Sequence, residues 1–222
     1  MIYSNHPNRQ ITVDDIKKQD TNTYLFVKRA ADLLLSIIGL TVLFVPMLIV
    51  AAAICIDSPG ASPLFIQKRC GYHGKEFFML KFRSMIPDAD DMKDNLLQYN
   101  EMTGPVFKIL EDPRITRLGR FLRKTCIDEL PQLYNVIKGD MSLVGPRPPL
   151  QREVEQYTSR DLKRLSVKPG LTCYWQILPN RYDCTFDEWV DWDLKYINER
   201  SIATDCKIIF KTLGAIIRMT GF

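Results

Sequence analysis

Two adjacent acids, Asp128 and Glu129, lie among apolar neighbours in the stretch "KTCIDELPQL", residues 124–133. A carboxylate can attack phosphorus and form an acyl phosphate, and a second carboxylate can bind Mg²⁺ together with phosphate oxygens. Adjacent positions on a helix point about 100° apart, which suits two separate roles better than one shared proton. The plain alternative is that both acids stabilise a helix N-terminus through the helix dipole, by about 0.3–1 kcal/mol.

Positive residues flank this pair and favour the chemical interpretation. The helix predicted over 116–125 carries cations on one broad face, namely Arg117, Arg120, Arg123 and Lys124. Downstream, "GPRPP" at 145–149 places Arg147 in a proline-stiffened loop, where its guanidinium can grip a phosphate through two hydrogen bonds. Carboxylates and arginines together indicate phosphoryl chemistry, although the sequence contains no P-loop, dinucleotide-binding fingerprint or kinase motif set.

The composition is that of a globular chain with a small basic excess. The 222 residues carry a formal net charge of +4, and 46% are apolar and 25% charged. Basic residues are interleaved with acids, which argues against a nucleic-acid partner. The six cysteines form no C-x-x-C and there are two histidines, His6 and His73, so neither a zinc site nor a disulfide framework is expected. Reduced thiols fit a cytoplasmic environment.

An apolar run at 33–56, "LLLSIIGLTVLFVPMLIVAAAICI", contains no charged residue. As a helix it would be about 36 Å long, enough to cross a hydrocarbon core of about 30 Å. A buried core helix and a signal peptide are alternatives, and the polar, acid-containing start disfavours the second. Because Pro46 bends a helix, the chain can either return on the same side of the membrane or span it with a kink. The residues alone support these two topologies about equally.

A re-entrant path would place one set of cations at the cytoplasmic headgroups. These are Lys28, Arg29 and the Lys68–Arg69 pair. The three tryptophans, Trp175, Trp189 and Trp192, belong either to the membrane interface or to the core. An amphipathic stretch at 205–218 either lies on the membrane surface or packs on the domain.

The soluble part shows signals for short elements. Residues 63–85 read as strand, turn and strand, with "CGYHGK" as the turn, and residues 86–101 as a solvated helix or a mobile loop. Thr116 is the expected N-cap of the helix over 116–125. A second helix is predicted to begin at Asp128 or Glu129 and to end before Gly139.

At this point the motifs resemble those of the bacterial sugar transferase family, the monotopic polyprenyl-phosphate phosphoglycosyl transferases. They are, in order, "KRAAD" (28–32) before the proline-containing apolar helix, "KFRSM" (81–85), "RITRLGRFLRKTCIDELPQLYNVIKGDMSLVGPRP" (114–148) and "KPGLT" (168–172). The resemblance runs from about residue 24 to the end and is to the short form of the family. It implies transfer of a sugar-1-phosphate from a nucleotide sugar, usually a UDP-sugar, to undecaprenyl phosphate. UMP would leave, and the intermediate would be a phosphosugar bound to an aspartate.

The resemblance also implies residue roles. Asp128 would be the nucleophile, and Glu129 the Mg²⁺ ligand. Phosphate or substrate binding would fall to Arg147, Pro146, Pro148, Arg120, Arg123, Lys81 and Arg83. Lys28, Arg29 and Asp32 would anchor the membrane helix, broken at Pro46, and help to meet the lipid phosphate.

The expected fold is α+β and mainly helical. A polar segment at 1–23 precedes a re-entrant membrane helix at 24–58 and a cytoplasmic catalytic domain at 59–222, with a small β-hairpin and interfacial amphipathic helices. The resemblance implies a monotopic protein on the cytoplasmic face of the bacterial inner membrane, in contact with its lipid, that starts capsule, exopolysaccharide, O-antigen or glycoprotein glycan assembly. A homodimer is left open, and the alternative function is a non-catalytic scaffold of a glycan-assembly complex.

Two positions depart from the family pattern. Val45 precedes Pro46 where many short members have serine, so Thr41 or Ser36 is the expected substitute partner for a freed backbone carbonyl. Pro179 and Asn180 stand before Arg181 where a Gly-Arg turn is expected, and this loop is predicted to shape the choice of sugar.

Overall fold

The computed structural model describes residues 21–178 and 184–218. Its first element is helix α1, Asn22–Asp57, which begins where the Thr21 hydroxyl accepts the Tyr24 N–H at 3.2 Å. The helix continues through Pro46, so the predicted break is not seen as an interruption and the re-entrant path stays a prediction. Within the described ranges, α1 is the helix long and apolar enough to cross a membrane.

Most of α1 is exposed, which contradicts the buried-core alternative. Large apolar side chains such as Phe26, Val42 and Ile56 lie open, Ile56 at 80% exposure, whereas the buried residues of the helix are Asp32, Ser36 and Ile54. An apolar surface of this length in water would drive aggregation, so it indicates a lipid or protein cover. Thr41 donates its hydroxyl to the Ile37 carbonyl at 2.8 Å, within its own turn rather than across the proline.

The predicted hairpin is confirmed. Strand β1, Leu64–Cys70, pairs antiparallel with strand β2, Glu76–Phe82, from Leu64 opposite Phe82 to Cys70 opposite Glu76. His73 in the turn adopts a left-handed φ of 52°, and Gly74 follows with a φ of 73°. Because side chains alternate along a strand, Phe77, Met79 and Lys81 share one face of β2. Phe77 and Met79 pack on Val136 and Met141, which directs this face toward the interior.

Helix α2, Arg117–Lys124, forms as predicted, with the Thr116 hydroxyl accepting the Gly119 N–H at 2.9 Å. The predicted second helix ends as expected at Gly139, which has a φ of 94°, but its start was wrong. Helix α3 spans Gln132–Lys138, and the two acids precede it in a separate 3₁₀ turn, Ile127–Glu129, called here the acidic turn. Cys126, with a left-handed φ of 55°, separates this turn from α2.

The structure contains a second sheet that the sequence did not predict, because each of its strands has three residues and shows no alternation of apolar and polar side chains. Strand β3, Ser142–Val144, runs parallel to strand β4, Gly170–Thr172. The backbones meet closely after β3, where Gly170 donates its N–H to the Pro146 carbonyl at 2.9 Å. A methyl group at Gly170 would lie 2.0 Å from the Gly145 nitrogen, so both glycines are needed for this approach.

The remaining elements are helical. Helix α4 is Gln151–Val154, α5 is Phe186–Glu199 and α6 is Ile202–Ile217. Between the hairpin and α2, the segment 86–101 forms one 3₁₀ turn, Asp94–Tyr99, rather than a regular helix.

The largest core cluster of the described residues lies between α4, α5 and the 3₁₀ helix Asp161–Ser166. Trp175 and Trp189 are fully buried there and stack with ring centroids 4.3 Å apart. The core interpretation therefore holds for these two tryptophans, and Trp192 packs partly buried against the same cluster. On α6, Ile208 is buried while Phe210 and Ile217 are exposed, so the helix packs one face on the domain and leaves apolar residues open.

Candidate active site

The acidic turn is held between the hairpin and the N-terminal helix. Ile127 packs against a cluster formed by Ile54 of α1, Phe82 of β2 and Leu122 of α2. This apolar support fixes the turn that carries the two carboxylates. Asp128 is 6% exposed, while Glu129 is partly open with 27% of its side chain accessible. The two acids thus lie in different environments, and their separate roles stay a prediction.

Lys81 and Glu129 form the central ion pair of the site, with 2.7 Å between Nζ and Oε1. Lys81 is the last residue on the face of β2 that also carries Phe77 and Met79, which explains how a hairpin residue reaches an acid 48 positions away. Burial acts to raise the pKa of Glu129, but the Lys81 ammonium, with smaller contributions from Arg147 and Arg123, outweighs it, and the net pKa is lowered. Glu129 is therefore ionised at neutral pH.

Asp128 behaves differently from its neighbour. Burial raises the pKa of its carboxyl from 3.8 to about 6, with the negative charge of Glu129 acting in the same direction. The positive charges of Lys81 and Arg123 oppose this rise. The result is a carboxylate that is ionised at neutral pH but poorly solvated, which makes it more reactive than a surface aspartate.

Arg123 and Arg147 supply positive charge from two sides. Arg123 donates from Nε to the Ser84 hydroxyl at 2.9 Å, and burial lowers its pKa although Asp128 acts to raise it. Arg147 follows β3 between the buried prolines Pro146 and Pro148, which restrict the loop. Its guanidinium lies 5.9 Å from the Trp189 ring and makes no hydrogen bond or ion pair with the residues at 21–178 and 184–218. It is free to bind an anion.

A cleft lies beside the acidic turn, and neither Asp128 nor Arg123 is among its wall residues. It encloses about 320 Å³, part of it open to solvent, and Lys81, Glu129, Arg147 and Pro148 lie in its wall. Glu129 rather than Asp128 faces this space. Gln132, from the first turn of α3, also lines the cleft, and its buried amide nitrogen has no acceptor within the described part of the chain.

Arg69 of β1 is a wall residue that the sequence reasoning placed wrongly. It was expected at the membrane headgroups beside Lys68, but it is 7% exposed and lines the cleft. Its Nη1 donates to the Pro148 carbonyl at 3.1 Å, while Lys68, on the opposite face, pairs with Glu76. The sequence does hold a signal for this position. In "FIQKRC" the polar residue Gln67 lies two positions before Arg69, so the two side chains share one face of the strand, opposite to Lys68.

Two predicted phosphate-binding residues are not brought to this cleft. Arg83 donates from Nε to the Ser62 carbonyl at 2.7 Å and lies 5.9 Å from the Phe65 ring, near the end of α1. Arg120 points outward on α2 and is exposed. The spacing of the cations on α2 had indicated one shared face. Of Arg120 and Arg123, the two predicted phosphate-binding residues on this helix, Arg123 is the one near the acids.

The residues predicted to anchor α1 do attach it to the domain. Arg29 donates to the carbonyls of Val136 and Ile137 at 2.7 and 2.8 Å, which caps the C-terminal end of α3. Asp32 accepts the Leu143 N–H at 3.1 Å. Lys28 pairs with Asp205 of α6 at 2.7 Å. The predicted contact of these residues with a lipid phosphate stays a prediction.

The comparison with protein families decides the affiliation. The family model described as bacterial sugar transferase matches residues 23–219. This chain belongs to the bacterial sugar transferase family. The family expectation is thereby confirmed over most of the chain, including the acidic turn and the loop of Arg147.

Individual members of the bacterial sugar transferase family are similar over nearly the whole chain. "Galactosyl transferase CpsE" of Streptococcus agalactiae serotype III is 48% identical over 199 residues, covering 90% of this chain and 44% of that protein. "Undecaprenyl-phosphate galactose phosphotransferase" of Salmonella typhimurium is 39% identical, covering 88% and 41%. "Exopolysaccharide production protein ExoY" of Rhizobium meliloti is 37% identical and is covered to 87% in both chains. The chain thus spans less than half the length of the first two and most of the third.

A resident Mg²⁺ in this protein would have few protein ligands among the described residues. No group of three or more His, Cys, Asp or Glu able to hold a metal occurs in the described ranges. This donor set still fits Mg²⁺, which is commonly held by one or two carboxylates together with substrate phosphates and water. Glu129 is the partly exposed carboxylate in the cleft wall, and Lys81 occupies one of its two oxygens.

Proposed function

We propose that this protein transfers a sugar-1-phosphate from a UDP-sugar to undecaprenyl phosphate, releasing UMP, as the first membrane step of bacterial polysaccharide or glycoconjugate synthesis. One observation carries the proposal: a buried aspartate of raised pKa stands next to a lysine-paired glutamate at a cationic cleft. The names of the relatives support it, since they include an undecaprenyl-phosphate galactose phosphotransferase and an undecaprenyl-phosphate glucose phosphotransferase. The scaffold alternative gives no reason for a buried acid whose pKa is raised, since burying it costs stability.

In the first half-reaction the Asp128 carboxylate attacks the phosphorus that carries the sugar. The bond from this phosphorus to the bridging oxygen breaks, and UMP leaves with that oxygen. A phosphosugar then remains on Asp128 as an acyl phosphate. In the second half-reaction a phosphate oxygen of undecaprenyl phosphate attacks the same phosphorus, and the carboxylate of Asp128 is released. Since Glu129 faces the cleft, the acidic turn must present Asp128 to the donor when it binds.

The residues around Asp128 make the approach of anion to anion possible. The positive charges of Lys81 and Arg123 act on both acids, and that of Arg147 acts on Glu129. Such preorganised charge stabilises the developing negative charge on the phosphoryl oxygens. Glu129, with water and the donor phosphates, would hold Mg²⁺, which neutralises phosphate charge when bound.

The apolar helix α1 supports attachment to the inner membrane. Its exposed apolar surface is suited to a lipid cover, and its N-terminal part is joined to α3, β3 and α6 by Lys28, Arg29 and Asp32. We take the helix to enter and leave on the cytoplasmic side, bending at Pro46, so that the domain meets the lipid phosphate from the cytoplasm. Cysteine labelling from each side of oriented vesicles, at positions 22 and 57, tests this topology. Opposite accessibility of the two positions refutes it.

The function is tested by intact-protein mass spectrometry on the purified protein in nanodiscs. Incubation with a panel of UDP-sugars and Mg²⁺, without lipid acceptor, is expected to add one sugar-phosphate from the correct donor. Asp128→Asn abolishes the adduct. Asp191→Asn, the same change at an exposed position on α5, retains it. Turnover with lipid but no adduct refutes the covalent route, and neither adduct nor turnover with any donor favours the scaffold.

A further inference from the structure

We propose that Arg69 is a second donor-binding cation that, with Arg147, holds the diphosphate of the nucleotide sugar. The assignment rests on the proposed function for the identity of the ligand. The two arginines lie in the wall of the same cleft, one from β1 and one from the loop after β3. A diphosphate carries negative charge over several oxygens, and two forked guanidiniums match it better than a single one.

Among residues 21–178 and 184–218, no carboxylate forms an ion pair with Arg69. Its side chain is almost fully buried, yet its hydrogen bonds go to neutral oxygens: Nε and Nη2 to the Gln67 side chain at 3.0 and 2.6 Å, and Nη1 to the Pro148 carbonyl. Glu153 is the acid that acts on it most strongly, and that carboxylate accepts the Leu150 N–H at the start of α4. A buried charge without a counter-charge is costly unless a ligand supplies one.

The neighbouring charges make the cost larger. Burial lowers the pKa of Arg69 to about 10, and the positive charge of Arg147 acts in the same direction. Two like charges facing one cleft repel each other when the cleft holds only water. A ligand with negative charge between them relieves that repulsion and gains hydrogen bonds that are stronger than neutral ones. Gln132, with its unsatisfied amide nitrogen, adds a further donor to the same wall.

A purely structural role for Arg69 is the competing explanation. Through its bond to the Pro148 carbonyl it braces the loop of Arg147, so its loss could weaken binding by displacing Arg147 alone. The two roles differ in one respect. A brace acts through Arg147 and has no effect once Arg147 is gone, whereas a binding cation contributes in either background.

Equilibrium binding of UDP to the full chain in nanodiscs distinguishes the binding role of Arg69 from the structural role. The measurement needs no turnover. Arg69→Gln is expected to weaken UDP binding by about tenfold to a hundredfold, with a smaller loss for UMP and none for uridine. Arg69→Lys keeps the positive charge but loses the forked guanidinium, so its UDP affinity should lie between those of Arg69→Gln and the unsubstituted protein. Lys68→Gln, the neighbour on the outer face, leaves all three affinities unchanged. Thermal unfolding of each variant confirms that it is folded.

The decisive comparison repeats Arg69→Gln in an Arg147→Gln background. A further loss of UDP affinity of at least fivefold supports direct binding, while no further loss overturns the proposal in favour of the brace. Unchanged UDP affinity together with a slower second half-reaction would move Arg69 to the acceptor phosphate and also overturn it. A failed aspartyl adduct with normal UDP results would instead refute the covalent mechanism alone.

Discussion

The pH dependence of aspartyl adduct formation tests the electrostatic account of the site. In the proposed mechanism Asp128 attacks as the carboxylate, and burial raises the pKa of this carboxyl to about 6. The first half-reaction should therefore accelerate as pH rises through 6 and level off above 7. The half-reaction without acceptor is the right one to follow, because a phosphate monoester titrates near pH 6 itself and would obscure the second.

The size of the effect follows from the pKa. With a value of about 6, about a tenth of Asp128 is ionised at pH 5 and about nine-tenths at pH 7. The initial rate is expected to rise about tenfold over that interval. Lys81 lowers the pKa of Asp128, so Lys81→Met should raise it and move the rise to higher pH. At pH 6 the variant is then slower both through reduced ionisation and through lost charge in the cleft.

The assay is rapid quench of protein mixed with saturating UDP-sugar, followed by intact-mass measurement of the adduct from pH 5 to pH 8. Lys68→Met is the matched control, since Lys68 is exposed and pairs with Glu76 away from the cleft. Its pH profile should overlay that of the unsubstituted protein.

Three results would refute the reasoning. A flat profile between pH 5 and pH 8 would show that Asp128 is not the titrating group or has an ordinary pKa. A shift of the Lys81→Met profile to lower pH would contradict the sign of the Lys81 contribution. A shift of similar size in Lys68→Met would show that general surface charge, rather than the ion pair with Glu129, sets the profile.

Three further predictions concern stability, each measured by thermal or denaturant unfolding. The folded state binds a proton on Asp128 more tightly than the unfolded chain does, so ionisation of Asp128 destabilises the fold as pH rises through about 4 to 6. Asp128→Asn should therefore stabilise the protein by on the order of 3 kcal/mol at pH 7 and by much less at pH 4. An unchanged or lowered unfolding midpoint at pH 7 contradicts this. Gly170→Ala forces a methyl group against the Gly145 nitrogen and should lower the free energy of unfolding by about 3 kcal/mol or more. Gly214 in α6 has open space around it, so Gly214→Ala should be neutral or stabilise by about 0.5–1 kcal/mol. Equal losses in the two variants would show that the backbones of Gly145 and Gly170 do not approach closely. Arg164→Met removes the partner that pairs with the fully buried Asp193 at 2.7 Å, and it should lower the free energy of unfolding by about 3–5 kcal/mol. Arg160→Met removes an exposed ion pair and should cost about 1 kcal/mol or less. Similar losses in the two variants would refute the burial argument.

Local features of this protein were readable from its sequence. The Thr116 cap, the αL glycine at Gly139 and the glycine-containing hairpin turn all depend on residues a few positions apart, so their signals are complete within a short window. The uncharged run at 33–56 likewise predicts, from its composition alone, a helix that prefers an apolar environment. The two acids were recognised as chemically distinct candidates because their neighbours along the chain are cations and prolines.

The boundaries of the acidic turn were not readable, because the left-handed Cys126 is a non-glycine residue held there by its surroundings. Acids followed by a proline predict a helix start, and α3 does begin near it, but the carboxylates lie one turn earlier. Only the packing of Ile127 on α1, β2 and α2 decides where that turn lies.

The composition of the cleft was decided by tertiary structure alone. Sequence determined that the chain holds an acid pair, a proline-flanked arginine and many other cations, but not which cations meet the acids. Lys81 meets Glu129 and Arg69 meets the Pro148 carbonyl because β1 and β2 pair and turn one face inward, while Arg83 and Arg120 turn away. A charge has no preferred partner along the chain, and its partner is set by the strand register and by the glycine contact between β3 and β4.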